Sequence, residues 1–177
     1  MIIGLSGKAG SGKDTVADII RANTSLETKT LAFGDAVKHI TGEILEIDRE
    51  TIERYKREDI PVSGFPIRIW LQKIGTLFRE KVSYDYWISY VLDPAQATFG
   101  NWDNKLIIIT DVRYLNEANA IKNWGGKIIR VNRDVEEKSS HASETELDNY
   151  KFDYIIDNNS NIIQLKENVL NTLKEIL

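Results

Sequence analysis

The stretch Leu5–Thr15, which reads LSGKAGSGKDT, decides the fold of this 177-residue chain. Its segment Gly7–Lys13 matches the pattern G-x-x-x-x-G-K, in which glycines let backbone N–H groups turn inward around phosphate oxygens. The apolar run Ile2–Ser6 precedes the segment, and apolar residues at helical spacing follow it from Val16. The order of strand, glycine loop and helix predicts a phosphate-binding loop, because the helix N-terminus adds about half a positive charge at that point.

Within this loop, we expect Lys13 to reach the β- and γ-phosphates of a nucleotide as a point charge. The hydroxyl residue that usually follows the lysine and contacts Mg²⁺ is replaced by Asp14, with Thr15 next. Either side chain can serve the metal ion, and Asp14 can instead favour the first helical turn through the helix dipole. The predicted nucleotide-binding residues of the loop are Gly7, Ala9, Gly10, Ser11, Gly12, Lys13, Asp14 and Thr15.

Strand and helix patterns alternate along the rest of the chain. The predicted strands after the first are Thr28–Phe33, Leu106–Thr110, Lys127–Asn132 and Phe152–Ile156. The predicted helices after the first are Ala36–Ile47, Ile67–Val82, Leu115–Trp124 and a C-terminal one from Ile162. The segment Asp59–Pro66 is a predicted loop. The fold class predicted is α/β, a three-layer sandwich of the P-loop kinase type with a parallel five-stranded sheet and helices on both faces. We expect one domain over residues 1–177.

Charged residues follow the predicted strands, at the sheet edge where ligands of such folds bind. Asp111 ends an apolar strand, where an acid often holds Mg²⁺ or its water, and Arg113 can contact a phosphate. A structural ion pair between them is the alternative. Asp35 suits an acceptor hydroxyl or a metal-bound water, or is simply a helix N-cap. Lys38 begins the same helix.

The helix from Ile67 carries two stripes. The apolar one is Ile67, Trp70, Leu71, Ile74, Leu77, Phe78 and Val82, and the polar one is Arg68, Gln72, Gly75 or Thr76, and Arg79. Guanidinium groups bind oxyanions through two parallel hydrogen bonds, so the polar stripe suits a phosphate and a base edge. A solvated helix face is the alternative. Gly75 costs up to about 1 kcal/mol relative to alanine, which a close ligand or helix contact would explain.

The polar stretch of about residues 134–147 is a candidate lid over ATP. Arg133, just before it, can neutralise charge that moves from the β- to the γ-phosphate. His141 within it either pairs structurally or touches a phosphate. Asn158, after the last strand, lies in a loop that can hold the adenine or form an ordinary turn.

The composition excludes several classes of protein. With 28% charged residues and a net charge of -4, the chain lacks the basic balance of a dedicated nucleic-acid binder. Without cysteine it forms no disulfide, thiolate metal site or cysteine nucleophile. The N-terminus lacks the pattern of a signal peptide, and no apolar run approaches the roughly 20 residues of a membrane span. We therefore expect a cytoplasmic protein with no membrane or nucleic-acid polymer as a partner.

Five segments, in order along most of the chain, resemble bacteriophage deoxynucleoside monophosphate kinases. They are the phosphate loop Leu5–Thr15, Phe33–Lys38 (F-x-D-x-x-K), Leu71–Thr76 (L-Q-x-x-G-T), Asp111–Ala118 (D-V-R-x-x-N-E-A) and His141–Glu144 (H-x-S-E). The resemblance implies ATP and Mg²⁺ as cofactors and a deoxynucleoside monophosphate (dNMP) as acceptor, giving ADP and dNDP in the cytoplasm of a host cell. The candidate lid departs from the family in being poor in arginine.

The resemblance also implies an acceptor-binding helical region over about residues 35–98. The acceptor-binding residues expected are Asp35, Lys38, Arg68, Gln72, Arg79, Asp111, Arg113, His141 and Glu144. The residues expected to act in catalysis are Lys13, Asp35, Arg68, Arg113 and Arg133. We expect Arg133 and Asn158 to belong to the nucleotide site together with the phosphate loop. The candidate metal ligands are Asp14, Thr15 and Asp111. A homodimer is compatible with the sequence. The alternatives are a dephospho-coenzyme A kinase-like enzyme, with Asp35 as the base for a hydroxyl acceptor, and a non-catalytic nucleotide sensor.

Overall fold

The computed structural model describes residues 1–92, 104–134 and 145–177. Its strands are β1 Ile2–Ser6, β2 Glu27–Leu31, β3 Pro61–Val62, β4 Phe65–Pro66, β5 Lys105–Ile109, β6 Lys127–Asn132 and β7 Tyr154–Asp157. Its helices are α1 Lys13–Ala22, α2 Phe33–Leu45, α3 Arg49–Glu58, α4 Ile67–Lys81, α5 Tyr86–Leu92, α6 Leu115–Asn123 and α7 Ile162–Ile176.

The main sheet has the strand order β2-β5-β1-β6-β7, and every pairing in it is parallel. The central strand β1 pairs with β5 through Ile3 and Ile108 and with β6 through Ile3 and Lys127. Parallel strands bring their carboxyl ends to one edge, so the loops after these strands meet there. The predicted five-stranded parallel α/β fold is confirmed.

Successive residues of β1 explain why the sheet lies between two layers of helices. Ile3 and Leu5 are fully buried in a cluster with residues of α1 and α7. Gly4 points to the other face, where a Cβ atom would lie 2.9 Å from side-chain carbons of Ile121 in α6 and Ile128 in β6. Because side chains alternate across a strand, α6 covers the face opposite α1 and α7.

The chain divides into two compact units, Met1–Ala32 with Thr98–Leu177, and Phe33–Ala97. The first, the phosphate-loop unit, contains the main sheet with α1, α6 and α7. The second contains α2–α5 and the short β3–β4 hairpin. In this helical unit Trp87 is fully buried, donates its indole N–H to the carbonyl oxygen of Gly75 at 3.0 Å, and packs against Phe78 with 5.3 Å between ring centroids.

Two predicted boundaries, one just before the helical unit and one within it, were wrong. The second strand ends at Leu31, because Phe33 already starts α2, where it is 2% exposed. The predicted loop at residues 59–66 contains the β3–β4 hairpin, whose turn residues Ser63 and Gly64 have φ of 50° and 82°. Positive φ at both turn positions matches the twist of a tight hairpin.

Helices α3 and α5 were not predicted. In α3 only Ile52 is buried, so the helix lacks an apolar stripe that periodicity could detect. Helix α4 has the predicted bounds to within a residue, but Leu77 and Val82 of its predicted apolar stripe are 52% and 62% exposed. Ile162, the first residue of α7, is likewise 60% exposed.

Candidate functional site

The phosphate loop connects β1 to α1 as the sequence predicts. Gly10 and Gly12 have φ of 80° and 96°, a left-handed conformation that glycine adopts without steric cost. The Nζ atom of Lys13 donates hydrogen bonds to the carbonyl oxygens of Gly7 at 2.7 Å and Lys8 at 2.9 Å. The ammonium group is thereby held against two carbonyl oxygens of the loop.

The loop residues differ in their exposure. Ala9 and Gly10 are exposed, whereas Ser11 is buried at 1% exposure and its Oγ atom has no hydrogen-bond partner among the described residues. Asp14 and Thr15 are exposed in the first turn of α1. Both side chains are therefore accessible to a metal ion from solvent.

The segment after β5 lies beside the end of β1. The backbone N–H of Val112 donates to the carbonyl oxygen of Leu5 at 3.1 Å, which brings the half-buried Asp111 and Arg113 to the edge where the phosphate loop begins. Glu117 is 1% exposed and its Oε2 atom accepts the backbone N–H of Arg113 at 2.8 Å. Glu117 therefore fixes the segment that carries both candidates, a role that the sequence analysis missed.

The candidate metal ligands Asp14, Thr15 and Asp111 fit a magnesium ion in chemical type, since all are oxygen donors. Among the described residues no group of three or more His, Cys, Asp or Glu side chains could hold a metal ion by itself. Mg²⁺ is usually bound by one or two carboxylates together with substrate phosphates and water, so such a cage is not needed.

A cavity of about 420 Å³ opens at the carboxyl ends of β6 and β7. Its volume is within the range of small-molecule sites. Its lining is almost entirely polar: Lys8, Arg130, Val131, Asn132, Arg133, Asp134, Asp157 and Asn159. The backbone N–H of Asp134 donates to Oδ1 of Asn159 at 2.7 Å, which joins the two strand ends across the cavity wall. Arg133 and the phosphate-loop residue Lys8 therefore line the same cavity.

Asn158 does not line this cavity. It is 8% exposed, and its Nδ2 atom donates a hydrogen bond to the carbonyl oxygen of Ser11 at 2.8 Å. From the sequence, Asn158 was expected in a loop that can hold the adenine or form an ordinary turn. In the structure its side-chain amide contacts the backbone of the phosphate loop.

The acceptor candidates Asp35 and Lys38 belong to a charged cluster in the helical unit. The Oδ1 atom of Asp35 accepts hydrogen bonds from Nζ of Lys38 at 3.0 Å and Nη2 of Arg49 at 2.7 Å. The same Nζ atom lies 2.7 Å from Oε1 of Glu53, whose Oε2 lies 3.7 Å from Nζ of Lys56. Helix α3 thus adds Arg49, Glu53 and Lys56 to the cluster.

Ion pairing dominates the titration of the cluster. Burial opposes the charged form of Asp35, but the guanidinium of Arg49 and the ammonium of Lys38 outweigh it and hold the pKa below the usual 3.8. Burial likewise opposes the charge on Lys38, but Glu53 and Asp35 together raise its pKa above 10.5. Both side chains are therefore charged at neutral pH.

The polar face of α4 remains partly open. Arg68 and Gln72 are exposed and Arg79 is half-buried. The Nη2 atom of Arg68 donates to the backbone carbonyl oxygen of Lys56 at 3.2 Å, which ties the start of α4 to α3. Arg68 could be identified from the sequence, but Arg49 and Glu53 could not, because a charge-rich helix without an apolar stripe is typical of a solvated surface.

The lid candidates His141 and Glu144 lie outside the described residues, as does most of the predicted lid. The residues that follow it are anchored to the phosphate-loop unit. Glu146 accepts the backbone N–H of Leu115 at 2.8 Å. Asp148 pairs with Nζ of Lys8 at 2.9 Å and with Nη2 of Arg130 at 3.3 Å.

Comparison with known proteins connects this chain to kinases. Residues 43–169 match the sequence profile of the deoxynucleotide monophosphate kinase family. A protein of Acanthamoeba polyphaga mimivirus, named "Putative deoxynucleotide monophosphate kinase", is 29% identical over 190 aligned positions, which cover 96% of this chain and 94% of the viral protein.

Two solved structures have a similar fold. TT1252 from Thermus thermophilus has a TM-score of 0.55 at 19% identity, over 100% of this chain and 97% of that one. Dephospho-CoA kinase from Campylobacter jejuni has a TM-score of 0.55 at 14% identity, over 99% and 96% of the two chains. At these identities the similarity concerns the fold alone.

No helix in the described ranges is long and apolar enough to cross a membrane.

Proposed function

Because this chain belongs to the deoxynucleotide monophosphate kinase family, we propose that it transfers the γ-phosphate of ATP to a deoxynucleoside 5′-monophosphate. The products are ADP and the corresponding diphosphate. The observation that carries the proposal is the phosphate loop, with Lys13 held over its carbonyl oxygens by bonds of 2.7 and 2.9 Å. A loop of this kind holds the phosphates of a nucleoside triphosphate between backbone N–H groups and the lysine.

The cavity beside the loop suits the adenosine part of ATP. It begins at Lys8 in the loop and extends to Asp157 and Asn159 after β7. Its polar lining offers hydrogen-bond partners to a base and a ribose, and Arg133 supplies a cation on the same wall. In this arrangement the triphosphate runs from the cavity along the loop towards Lys13.

The charged cluster of the helical unit suits the monophosphate of the acceptor. It contains the cations Lys38, Arg49 and Lys56 and the carboxylates Asp35 and Glu53. Arg68, which donates to the backbone carbonyl oxygen of Lys56, adds a fourth cation beside it. Four cations against two carboxylates leave an excess of two positive charges, which matches a phosphate monoester of about -1.5 to -2 at pH 7. On α4, the residues Arg68, Gln72 and Arg79 complete the proposed acceptor set of this unit.

The reaction requires positioning more than acid–base chemistry. A phosphate oxygen of the acceptor, already anionic, attacks the γ-phosphorus while the bond to the β,γ-bridging oxygen of ATP breaks and ADP leaves. Lys13, Arg113 and Arg133 stabilise the negative charge on the transferring group. Mg²⁺, held by Asp111 with Asp14 or Thr15, would supply charge neutralisation on the phosphates when bound.

A hydroxyl acceptor, as in dephospho-coenzyme A, is less well supported. That chemistry needs a general base, for which Asp35 is the candidate. A good base has a pKa near the working pH, and the pKa of Asp35 is instead held below 3.8 by Arg49 and Lys38. Near-complete loss of activity in Asp35→Asn, with unchanged acceptor binding, would favour the hydroxyl acceptor.

The test is a coupled ADP-release assay with ATP and Mg²⁺ against dNMPs, NMPs and dephospho-coenzyme A. We expect turnover with one or more dNMPs well above the rate without acceptor. Turnover with dephospho-coenzyme A alone would refute the proposal in favour of the hydroxyl acceptor. No turnover with any acceptor, while ATP still binds, would refute it in favour of a nucleotide sensor.

A further inference from the structure

Asn158 connects three separate pieces of the phosphate-loop unit. Its buried Nδ2 atom donates to the carbonyl oxygen of Ser11 at 2.8 Å, across 147 positions of sequence. Its backbone N–H donates to the carbonyl oxygen of Asn132, at the end of β6, also at 2.8 Å. It follows directly on β7, so one residue joins the ends of β6 and β7 to the phosphate loop.

The loop turns sharply at its contact with Asn158. Gly12 has a left-handed φ of 96°, and a Cβ atom at this position would lie 2.4 Å from Nδ2 of Asn158. The amide of Asn158 therefore occupies the space that a side chain at position 12 would fill. Ser11, next to it, is 1% exposed, so water has little access to this contact.

The carbonyl group that Asn158 holds belongs to the same peptide unit as the backbone N–H of Gly12. A trans peptide is planar, and its C=O and N–H point in opposite directions. A hydrogen bond that fixes the direction of the Ser11 carbonyl therefore also fixes the direction of the Gly12 N–H. Backbone N–H groups at the start of such a helix are the donors that receive phosphate oxygens.

We propose that Asn158 is a positioning residue that orients the Gly12 N–H towards the phosphates of ATP through the carbonyl group of Ser11. It acts on the phosphates and does not read the adenine. This inference rests on the ATP site of the proposed function. The neighbours Asp157 and Asn159, which line the cavity, remain the residues placed to contact adenosine.

The two roles are distinguished by comparing ATP with inorganic triphosphate, which has no adenosine. We would titrate the full chain with each ligand and Mg²⁺ by calorimetry. Asn158→Ala removes the side-chain amide. Asn158→Asp keeps its size but places an oxygen against the Ser11 carbonyl, and serves alone if the alanine variant does not fold. We expect both variants to raise the two dissociation constants by the same factor, about tenfold.

Two neighbouring asparagines serve as controls. Asn161 caps α7, and its side chain accepts the backbone N–H groups of Ile163 and Gln164, each at 3.0 Å. Asn161→Ala should lower stability but leave both dissociation constants unchanged, because its side chain caps α7 instead of holding the Ser11 carbonyl. Asn159→Ala should weaken ATP and spare inorganic triphosphate, because Asn159 lines the cavity.

Two outcomes for the Asn158 variants would overturn the inference. Weaker ATP binding with unchanged binding of inorganic triphosphate would make Asn158 an adenine contact. Unchanged binding of both ligands would make its hydrogen bond irrelevant to the loop. A wild-type protein that binds both ligands but phosphorylates no dNMP would refute the proposed function and leave this comparison valid. A wild-type protein that binds neither would refute both.

Discussion

The guanidinium of Arg49 in α3 and the carboxylate of Asp35 in the first turn of α2 form an ion pair, with 2.7 Å between Nη2 and Oδ1. The same oxygen accepts a hydrogen bond from Lys38 at 3.0 Å. Helix α3 is rich in charged residues and buries only Ile52. Its sequence therefore contains no pattern that connects it with Asp35. The pair thus adds a cation to the residues that we propose for the acceptor.

Replacement of this cation tests whether α3 takes part in acceptor binding. Arg49→Gln should raise the KM for a dNMP about two- to fivefold and leave the KM for ATP unchanged. The effect is modest because Arg49 is 63% exposed, and exposed ion pairs contribute about 0.2–1 kcal/mol. Initial rates at varied dNMP and fixed saturating ATP provide the measurement.

The matched control for Arg49 is on the same helix. Arg57 is 74% exposed and lies 3.8 Å from Glu58, outside the Asp35 cluster. Arg57→Gln should leave the KM for the dNMP unchanged. An equal rise in both variants would mean that any positive charge on α3 has this effect and that the contact with Asp35 has no special role.

The lysine of the phosphate loop should be essential for turnover and of little importance for folding. Lys13→Ala should lower kcat at least about a hundredfold, because a preorganised charge at the transferring phosphoryl group is lost. The carbonyl oxygens that Lys13 contacts are only partly buried and can bind water instead, so the melting temperature should change little. Lys166→Ala, an exposed lysine on α7, is the control. Normal activity in Lys13→Ala would end the assignment of the phosphate loop.

Asp153 should make the stability of the phosphate-loop unit depend on pH in the acid range. Burial opposes its charged form, but the ammonium of Lys122, at 2.5 Å, and the backbone N–H of Ile128, at 2.8 Å, outweigh this and lower the pKa below 3.8. Because the pKa of Asp153 is lower in the folded protein than in the unfolded chain, the ionised carboxylate stabilises the fold above pH 3.8. This stabilisation is lost as the pH falls through the pKa that the group has in the folded protein.

Asp153→Asn should therefore lower the free energy of unfolding by about 1 kcal/mol near neutral pH. The difference from wild type should shrink as the pH falls below 3.8. Denaturant titrations at several pH values measure it. Asp18→Asn is the control, since Asp18 forms an exposed pair with Arg21 within one helix. A difference that stays constant down to the lowest pH would contradict the assigned ion pair.

We expect that close packing does not require a glycine at position 75 of α4, and that the approach of a ligand does. A Cβ atom there would meet the methyl carbons of Val37 at 3.8 Å, an ordinary contact, and nothing closer among the described residues. Gly75→Ala should raise stability by up to about 1 kcal/mol. That gain corresponds to about 2–4 °C in melting temperature for a chain of this size.

The same variant should raise the KM for the dNMP if the acceptor approaches the polar face of α4. Gly42→Ala is the contrasting control, because its Cβ atom would lie 2.7 Å from the carbonyl oxygen of Ile47 and should destabilise the helical unit. A Gly75→Ala variant that is more stable and binds the dNMP normally would remove the ligand explanation.

The sequence by itself determined the phosphate loop and the sheet. The loop depends on glycines, a lysine and a helix start that are neighbours in the chain, so local pattern contains nearly all the information. The buried strands read as apolar runs because helices cover both faces of the sheet. Asp111 and Arg113 could be placed at the sheet edge for the same reason, since the order of strand and acid is itself local.

Only the tertiary structure decided the partners of the site residues. Arg49 meets Asp35 from 14 positions away, and Asn158 meets Ser11 from 147 positions away. Neither pair has a sequence signature, because a charged residue on a helix without an apolar stripe resembles a solvated surface and an asparagine after a strand resembles a turn. Such contacts depend on how whole elements pack, and packing is set by the buried faces of those elements rather than by the polar residues that it brings together.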